Sequence, residues 1–278
     1  MNEIVSKVLP KSQAPRSPIY MMGSKAAIAS WIVDHFPKHR VYCEPFGGTM
    51  SVLLAKPVSD VEIYNDINGN LVNFFTTLRD VPFDLIGRLA FTPAARSMYE
   101  DVLAKWRQGK LSPDPVTRAY EWFILASQSF SGHLGTGWAH SRQGQSAAQR
   151  WVNAVNRLYD VTTRIQQVQI ESRPYQDILK AYDGLDTLFY VDPPYVMATE
   201  PYPEAPKWDW PNFVGMVRLL QTVKGKVALS SYPNQFVDEL LHKWRWDSIG
   251  AVKSSEGVTE VHKIGKRQPA TELLLMNY

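Results

Sequence analysis

The stretch from Val41 to Asp66 limits the fold more than any other part of the chain. Val41-Tyr42-Cys43 is a short apolar, strand-like run that ends on Glu44-Pro45-Phe46-Gly47-Gly48. The two glycines there permit a tight turn and a close approach of the backbone to a ligand. Residues 51–55 read as a short helix, and residues 61–64 as a second strand closed by Asn65-Asp66. Strand, glycine turn, helix, strand and an acidic residue roughly twenty positions on make up the βαβ unit of nucleotide-type binding sites. An α/β fold follows. Asp66 is placed either to accept the two hydroxyls of a ribose or to cap the helix after it.

Around this unit the chain divides into three zones. In the first, residues 17–80, the segment 24–36 carries Ala27, Ile28, Trp31 and Ile32 at helical spacing and is expected to be one helix. The middle zone, 81–170, is helical without strand alternation, its longest helices at 117–130 and 147–166. Between those helices, 131–145 (SGHLGTGWAHSRQGQ) is polar and glycine-rich, and is expected to be a binding loop rather than a packed element. Residues 81–175 hold eleven Lys/Arg against seven Asp/Glu, an excess that favours phosphate-bearing partners. The third zone, 171–278, returns to α/β, with strands at 187–191 and 226–231, a helix at 235–244 and closing strands at 246–252 and 272–277. Residues 253–269, charged and poor in apolar side chains, read as a mobile loop.

Composition removes several classes. No apolar run approaches the ~20 residues of a membrane span, and the first nineteen residues lack a secretory signal's apolar stretch. The single cysteine, Cys43, excludes an internal disulfide and a cysteine-rich zinc site, and is expected to be a buried small hydrophobe. A cytoplasmic protein is the expectation.

Asp192-Pro193-Pro194-Tyr195 carries the chemistry. It follows the β-rich run 187–191. Two consecutive prolines fix φ and donate nothing, so the carbonyls before them are held rigid and free to accept hydrogen bonds. An ionised aspartate is acceptor-only. Two acceptors beside an aromatic ring form a slot for a planar base bearing an amino group. The lone pair of such an amine is delocalised into its ring, and acceptors that grip its hydrogens turn that pair toward an electrophile. Alone, the tetrapeptide also reads as a tight turn.

Gly23-Ser24-Lys25, Glu44-Pro45-Phe46-Gly47-Gly48, Tyr64-Asn65-Asp66-Ile67-Asn68 and Asp192-Pro193-Pro194-Tyr195 occur in that order. The order and spacing, from about residue 17 to 278, resemble the Dam-like DNA adenine-N6 methyltransferases. The resemblance implies a Rossmann-like methyltransferase fold with a mixed, mostly parallel sheet. Residues 17–80 and 171–278 would form the catalytic domain, and 81–170 a small helical target-recognition insertion. It implies S-adenosylmethionine as cofactor, with Lys25 near the methionine carboxylate, Glu44, Phe46 and Gly47 lining the site, and Asp66 on the ribose. Asp177 would lie near one end of the cofactor, and Asp192 would face both cofactor and target. Asp192 and the Pro193 carbonyl would hold the target amino group, with Tyr195 stacked on the base. Phe130-Ser131-Gly132 is similar to the Phe-Asn-Gly that opens the family's recognition hairpin. Thr49-Met50 departs from the family's small residue after the glycines, and Met21 from its aromatic residue four before the lysine.

Double-stranded DNA is the implied partner, with the base flipped out. Arg118, Arg142 and Arg150 are the phosphate candidates, and His133, His140 and Arg142 the base-reading candidates. Neither a metal nor a membrane is expected, and a monomer is one open option for the assembly. A bacterial or phage-infected cytoplasm and a restriction-modification role fit the family. Two alternatives stay open at this point: an RNA adenine or guanine N-methyltransferase, and a catalytically silent nucleic-acid-binding protein.

Overall fold

The computed structural model describes residues 14–140, 146–196, 204, 206–252 and 269–278. In chain order these form α1 (Ala29–Asp34), β1 (Val41–Glu44), α2 (Ser51–Ala55), β2 (Val61–Asn65) and α3 (Gly69–Asp80). Then come α4 (Pro82–Ala90), α5 (Arg96–Arg107), α6 (Pro115–Gln128), a 3-10 turn at Phe130–Gly132 and α7 (Ala147–Ile165). The chain continues as β3 (Val168–Glu171), α8 (Tyr175–Tyr182), β4 (Thr187–Val191), α9 (Trp210–Leu220), β5 (Lys226–Ser231) and α10 (Gln235–Leu240). It closes with β6 (Arg245–Val252) and β7 (Pro269–Met276).

The seven strands form one sheet in the order β3-β2-β1-β4-β5-β7-β6. The first five are parallel, and β7 runs antiparallel between β5 and β6. This is the mixed, mostly parallel, Rossmann-like α/β sheet expected from the sequence. The strand order reverses between β1 and β4, and in such sheets the crevice for ligands opens beyond the carboxyl ends at that switch point. Glu44 closes β1 and Asp192 follows β4 directly, so the two flank the crevice.

Alternation along the strands builds a core on each face. Tyr42, Tyr64, Leu188 and Tyr190 point into the larger core, shared with α1–α7, where Phe74 stacks flat on Phe123 at 5.0 Å. Cys43, Ile63, Phe189 and Val191 point the other way, against α8, α9 and α10. Cys43 is fully buried, as a small hydrophobe would be. A buried ion triad ties α7 to the sheet: Glu62 on β2 accepts from Lys56 at 2.6 Å and from Arg164 at 2.5 and 2.8 Å. Burial pushes the Glu62 carboxyl up, but the Arg164 and Lys56 contacts outweigh it and hold the group below its usual range. Among the described residues no helix is long and apolar enough to cross a membrane.

Several expectations need correction. The helix expected at 235–244 ends at Leu240, where His242 to Trp244 turn into β6. The zone 81–170, read as purely helical, ends in β3 (Val168–Glu171), which is too short to show alternation. The helix expected at 24–36 is shorter, Ala29–Asp34. Gly23 is left-handed (φ 82°), Ser24 bonds Thr49 and Ser51 through its hydroxyl, and Lys25 turns inward, which diverts the first turn from helical geometry. The segment 131–145 is also not free of packing. Leu134 is buried, and Gly135 lies so close to Trp106 that an added Cβ would meet its ring at 2.6 Å. An isolated bridge pairs Ser129 with Trp138. Periodicity cannot report a compact turn whose partner lies on α5. Residues 141–145 and 253–268 lie outside the described residues.

Candidate active site

A cavity of about 360 Å³ opens at the switch point. Its floor is the turn from Glu44 to Gly48, which β2 holds in place. The Gly47 N–H donates to the Asn65 carbonyl (2.7 Å), the Tyr64 hydroxyl to the Gly48 carbonyl (2.7 Å), and the Gly48 N–H to Asp66 Oδ2 (2.8 Å). A Cβ on Gly47 would sit 2.2 Å from the Tyr64 ring, so only glycine fits there. Met50 at the end of the turn has φ 61°, a left-handed conformation that a side chain ordinarily avoids. Asn65, which sequence reasoning passed over, braces the turn by donating to the Pro45 and Arg173 carbonyls at 2.8 and 3.0 Å.

Asp66 lines the cavity and accepts the Gly48 and Asn68 N–H groups, one on each oxygen, at 2.8 Å. A carboxylate has about four lone-pair sites, so both oxygens keep acceptor capacity. The side-chain cap of α3 is Asn68, not Asp66. Burial raises the Asp66 pKa, and its backbone hydrogen bonds oppose the rise. Phe46, Tyr175 and Trp208 form an aromatic wall with ring centroids 5.1–5.9 Å apart.

Lys25 and Asp192 meet across the cavity at 2.9 Å. Lys25 also lies 3.8 Å from Glu272, bonds the Gly23 carbonyl at 3.1 Å, and stands 4.8 Å above the Tyr195 ring. The Tyr195 hydroxyl lies 3.2 Å from Asp192 Oδ1 and bonds Glu272 Oε1, while its ring packs 4.4 Å from Tyr232. Burial raises the pKa of both carboxylates, with Lys25 pulling each back. Glu44, fully buried beneath the cavity, is pushed up to about 8 by burial, against the hydrogen bond from the Tyr42 hydroxyl (2.7 Å).

Of the residues singled out in the sequence, Lys25, Glu44, Phe46, Gly47, Asp66 and Asp192 line this one cavity. Pro194 lines it as well, whereas Pro193 is buried behind it. Tyr195 is joined to it through Asp192. Asp177 is not among the lining residues: it is exposed on α8 and faces Arg173 at 3.6 Å, and its neighbours Tyr175 and Gln176 line the cavity instead. Arg118 lies outside, half-buried, donating to Asn70 at 2.7 Å. His133 is half-buried within the turn after α6, His140 is exposed and stacks on Trp138, and Arg150 is exposed near the start of α7. Arg142 lies outside the described residues. Sequence reasoning missed Glu272, Glu204 and Trp208. A lone carboxylate in the apolar run Glu272-Leu273-Leu274-Leu275 was the available signal for the first; nothing local marks the other two.

A family model described as D12 class N6 adenine-specific DNA methyltransferase matches residues 21–249, and no curated protein matches the chain. The match covers most of the sequence and includes every lining residue of the cavity.

Proposed function

Because the chain belongs to the D12 class of N6 adenine-specific DNA methyltransferases, we propose that it methylates N6 of an adenine flipped out of duplex DNA, with S-adenosylmethionine as the donor. The family assignment supports a DNA-acting enzyme over the RNA and silent-scaffold alternatives. The observation that carries the finer reading is Asp192, placed at the switch point opposite the glycine turn and Asp66.

The residues present fit a nucleoside-bearing donor. Asp66 has acceptor capacity for a ribose diol, the wall of Phe46, Tyr175 and Trp208 suits a purine, and Lys25 offers a cation for a carboxylate. When bound, S-adenosylmethionine supplies an electrophilic methyl on a sulfonium. Asp192 and the Pro193 carbonyl accept the two N6 hydrogens and direct the nitrogen lone pair toward that methyl. Flipping the base costs a few kcal/mol, which stacking and phosphate contacts offset. Arg118, Arg150 and Arg142 remain our candidates for the phosphates, so DNA binding should weaken with salt.

Asp192→Ala is expected to lower incorporation of labelled methyl groups into unmethylated plasmid DNA by about 10³-fold or more. Its affinity for the cofactor, measured by calorimetry, should change far less. Undiminished methylation by this variant would refute the mechanism.

A further inference from the structure

The methylated nitrogen must lose a proton, and bulk water is poorly placed to take it. Asp192 is only 17% exposed, Lys25 7% and Glu272 3%. Behind Asp192 the Tyr195 hydroxyl stands between two carboxylates, 3.2 Å from Asp192 Oδ1 and hydrogen-bonded to Glu272 Oε1. A phenol has one proton and cannot donate it to both. With both carboxylates ionised the chain of oxygens is therefore one proton short, and a proton arriving on Asp192 completes it. We propose that Glu272 is the terminal proton acceptor of the methyl transfer, receiving the N6 proton from Asp192 through the Tyr195 hydroxyl. The proposal rests on Asp192 holding the target amino group.

The step balances. The N6 lone pair forms the nitrogen–carbon bond, the carbon–sulfur bond breaks with its electrons left on sulfur, and the positive charge passes to N6. N6 releases one proton to Asp192. Asp192 passes a proton to the Tyr195 oxygen as Tyr195 gives its own to Glu272. The products are a neutral methylated base, an ionised Asp192 again paired with Lys25, and a protonated Glu272. The groups facing Glu272 suit that end state: Lys25 from the turn before α1, Asp192 and Tyr195 after β4, Tyr190 within β4 and Tyr232 after β5. Lys25, the one cation facing Glu272 among the described residues, lies nearer to Asp192 (2.9 Å) than to Glu272 (3.8 Å), which favours leaving the charge on Asp192 and the proton on Glu272.

Glu272→Gln keeps an acceptor oxygen for Tyr195 but cannot take the proton. Methylation of unmethylated plasmid DNA would be followed from about pH 6 to about pH 9, with cofactor affinity measured by calorimetry. Near neutral pH the variant should lose about 10²-fold in kcat, with affinity unchanged, and its rate should climb with pH as hydroxide replaces the missing acceptor. Added imidazole should accelerate the variant more than the wild type. A wild-type rate, or a loss constant across pH and unmoved by imidazole, would overturn the relay. Should Glu272→Gln fail to fold, Tyr195→Phe breaks the same chain of oxygens and must show the same rising profile; a flat loss there overturns the relay equally. An inactive Asp192→Ala beside a fully active Glu272→Gln would remove the relay alone. An active Asp192→Ala would remove the functional reading beneath it.

Discussion

Glu44 shows how burial changes the chemistry of a residue whose identity is unremarkable. Its pKa of about 8, against an ordinary 4.5, means that the folded protein keeps a proton on it over a range where the unfolded chain has released it. The associated stability is complete below the unfolded value and is lost as pH rises through the folded one. Wild-type stability should therefore decline between about pH 5 and pH 8. In Glu44→Gln, which still accepts from Tyr42, the decline should flatten, leaving the variant more stable near pH 8 by about a few kcal/mol. Urea midpoints across that range check this; parallel curves for the two proteins would contradict it. The sequence marks Glu44, Asp66 and Asp192 through their spacing because each sits at the carboxyl end of a parallel strand or just beyond it, and marks Lys25 by the Gly23-Ser24-Lys25 turn before α1, so that local pattern and position coincide. It does not mark their protonation, which depends on what the other strands bring near. Asp177 illustrates the opposite failure: its position in the chain matches a family pattern, but on α8 its side chain faces Arg173 and solvent.

At the level of elements, the cavity is lined by residues that no periodicity announces, Glu204, Pro206, Lys207 and Trp208. Trp208 closes the aromatic wall. Glu204 accepts from Asn68 and Asn70 at 2.9 and 2.7 Å, and from the indole N–H groups of Trp106 and Trp122 at 2.5 and 3.1 Å. Four neutral donors from α5, α6 and the start of α3 thus hold one carboxylate, and hydrogen bonds to a charged group contribute about 1.5–3 kcal/mol each. Removing the carboxylate with Glu204→Ala leaves four donors at the cavity wall without their acceptor and should weaken cofactor binding about tenfold, mainly by faster release. Stopped-flow tryptophan fluorescence would follow that release, and an unchanged off-rate would show that Glu204 does not support the cavity wall. The strands at 41–44, 61–65 and 187–191 were legible because buried strands need apolar runs bounded by turns. The donors of Glu204 are scattered over more than fifty positions, from Asn68 to Trp122, and only the packing of three helices gathers them.

For the molecule as a whole, the three zones of the sequence mark changes of period, while the core ignores them. Side chains of α3 to α7 and of the strands share one apolar cluster, and the Lys56–Glu62–Arg164 triad crosses between the helical zone and the sheet. Breaking a buried ion pair strands its partners without compensation, so Glu62→Ala should cost about 3–5 kcal/mol. Calorimetry should still show one transition, shifted down; two separated peaks would mean that the helices unfold independently of the sheet. The position of β7 between β5 and β6 has a consequence for biosynthesis. Synthesis order and spatial order disagree there: β6 leaves the ribosome before the strand it must lie against, and β5 keeps an open edge until residues 269–276 emerge. A nascent chain stopped anywhere short of that point carries an unpaired strand edge inviting aggregation and has no Glu272 beside Tyr195. Interrupted translation therefore leaves a substrate for proteases and chaperones rather than a partly competent enzyme loose on the genome.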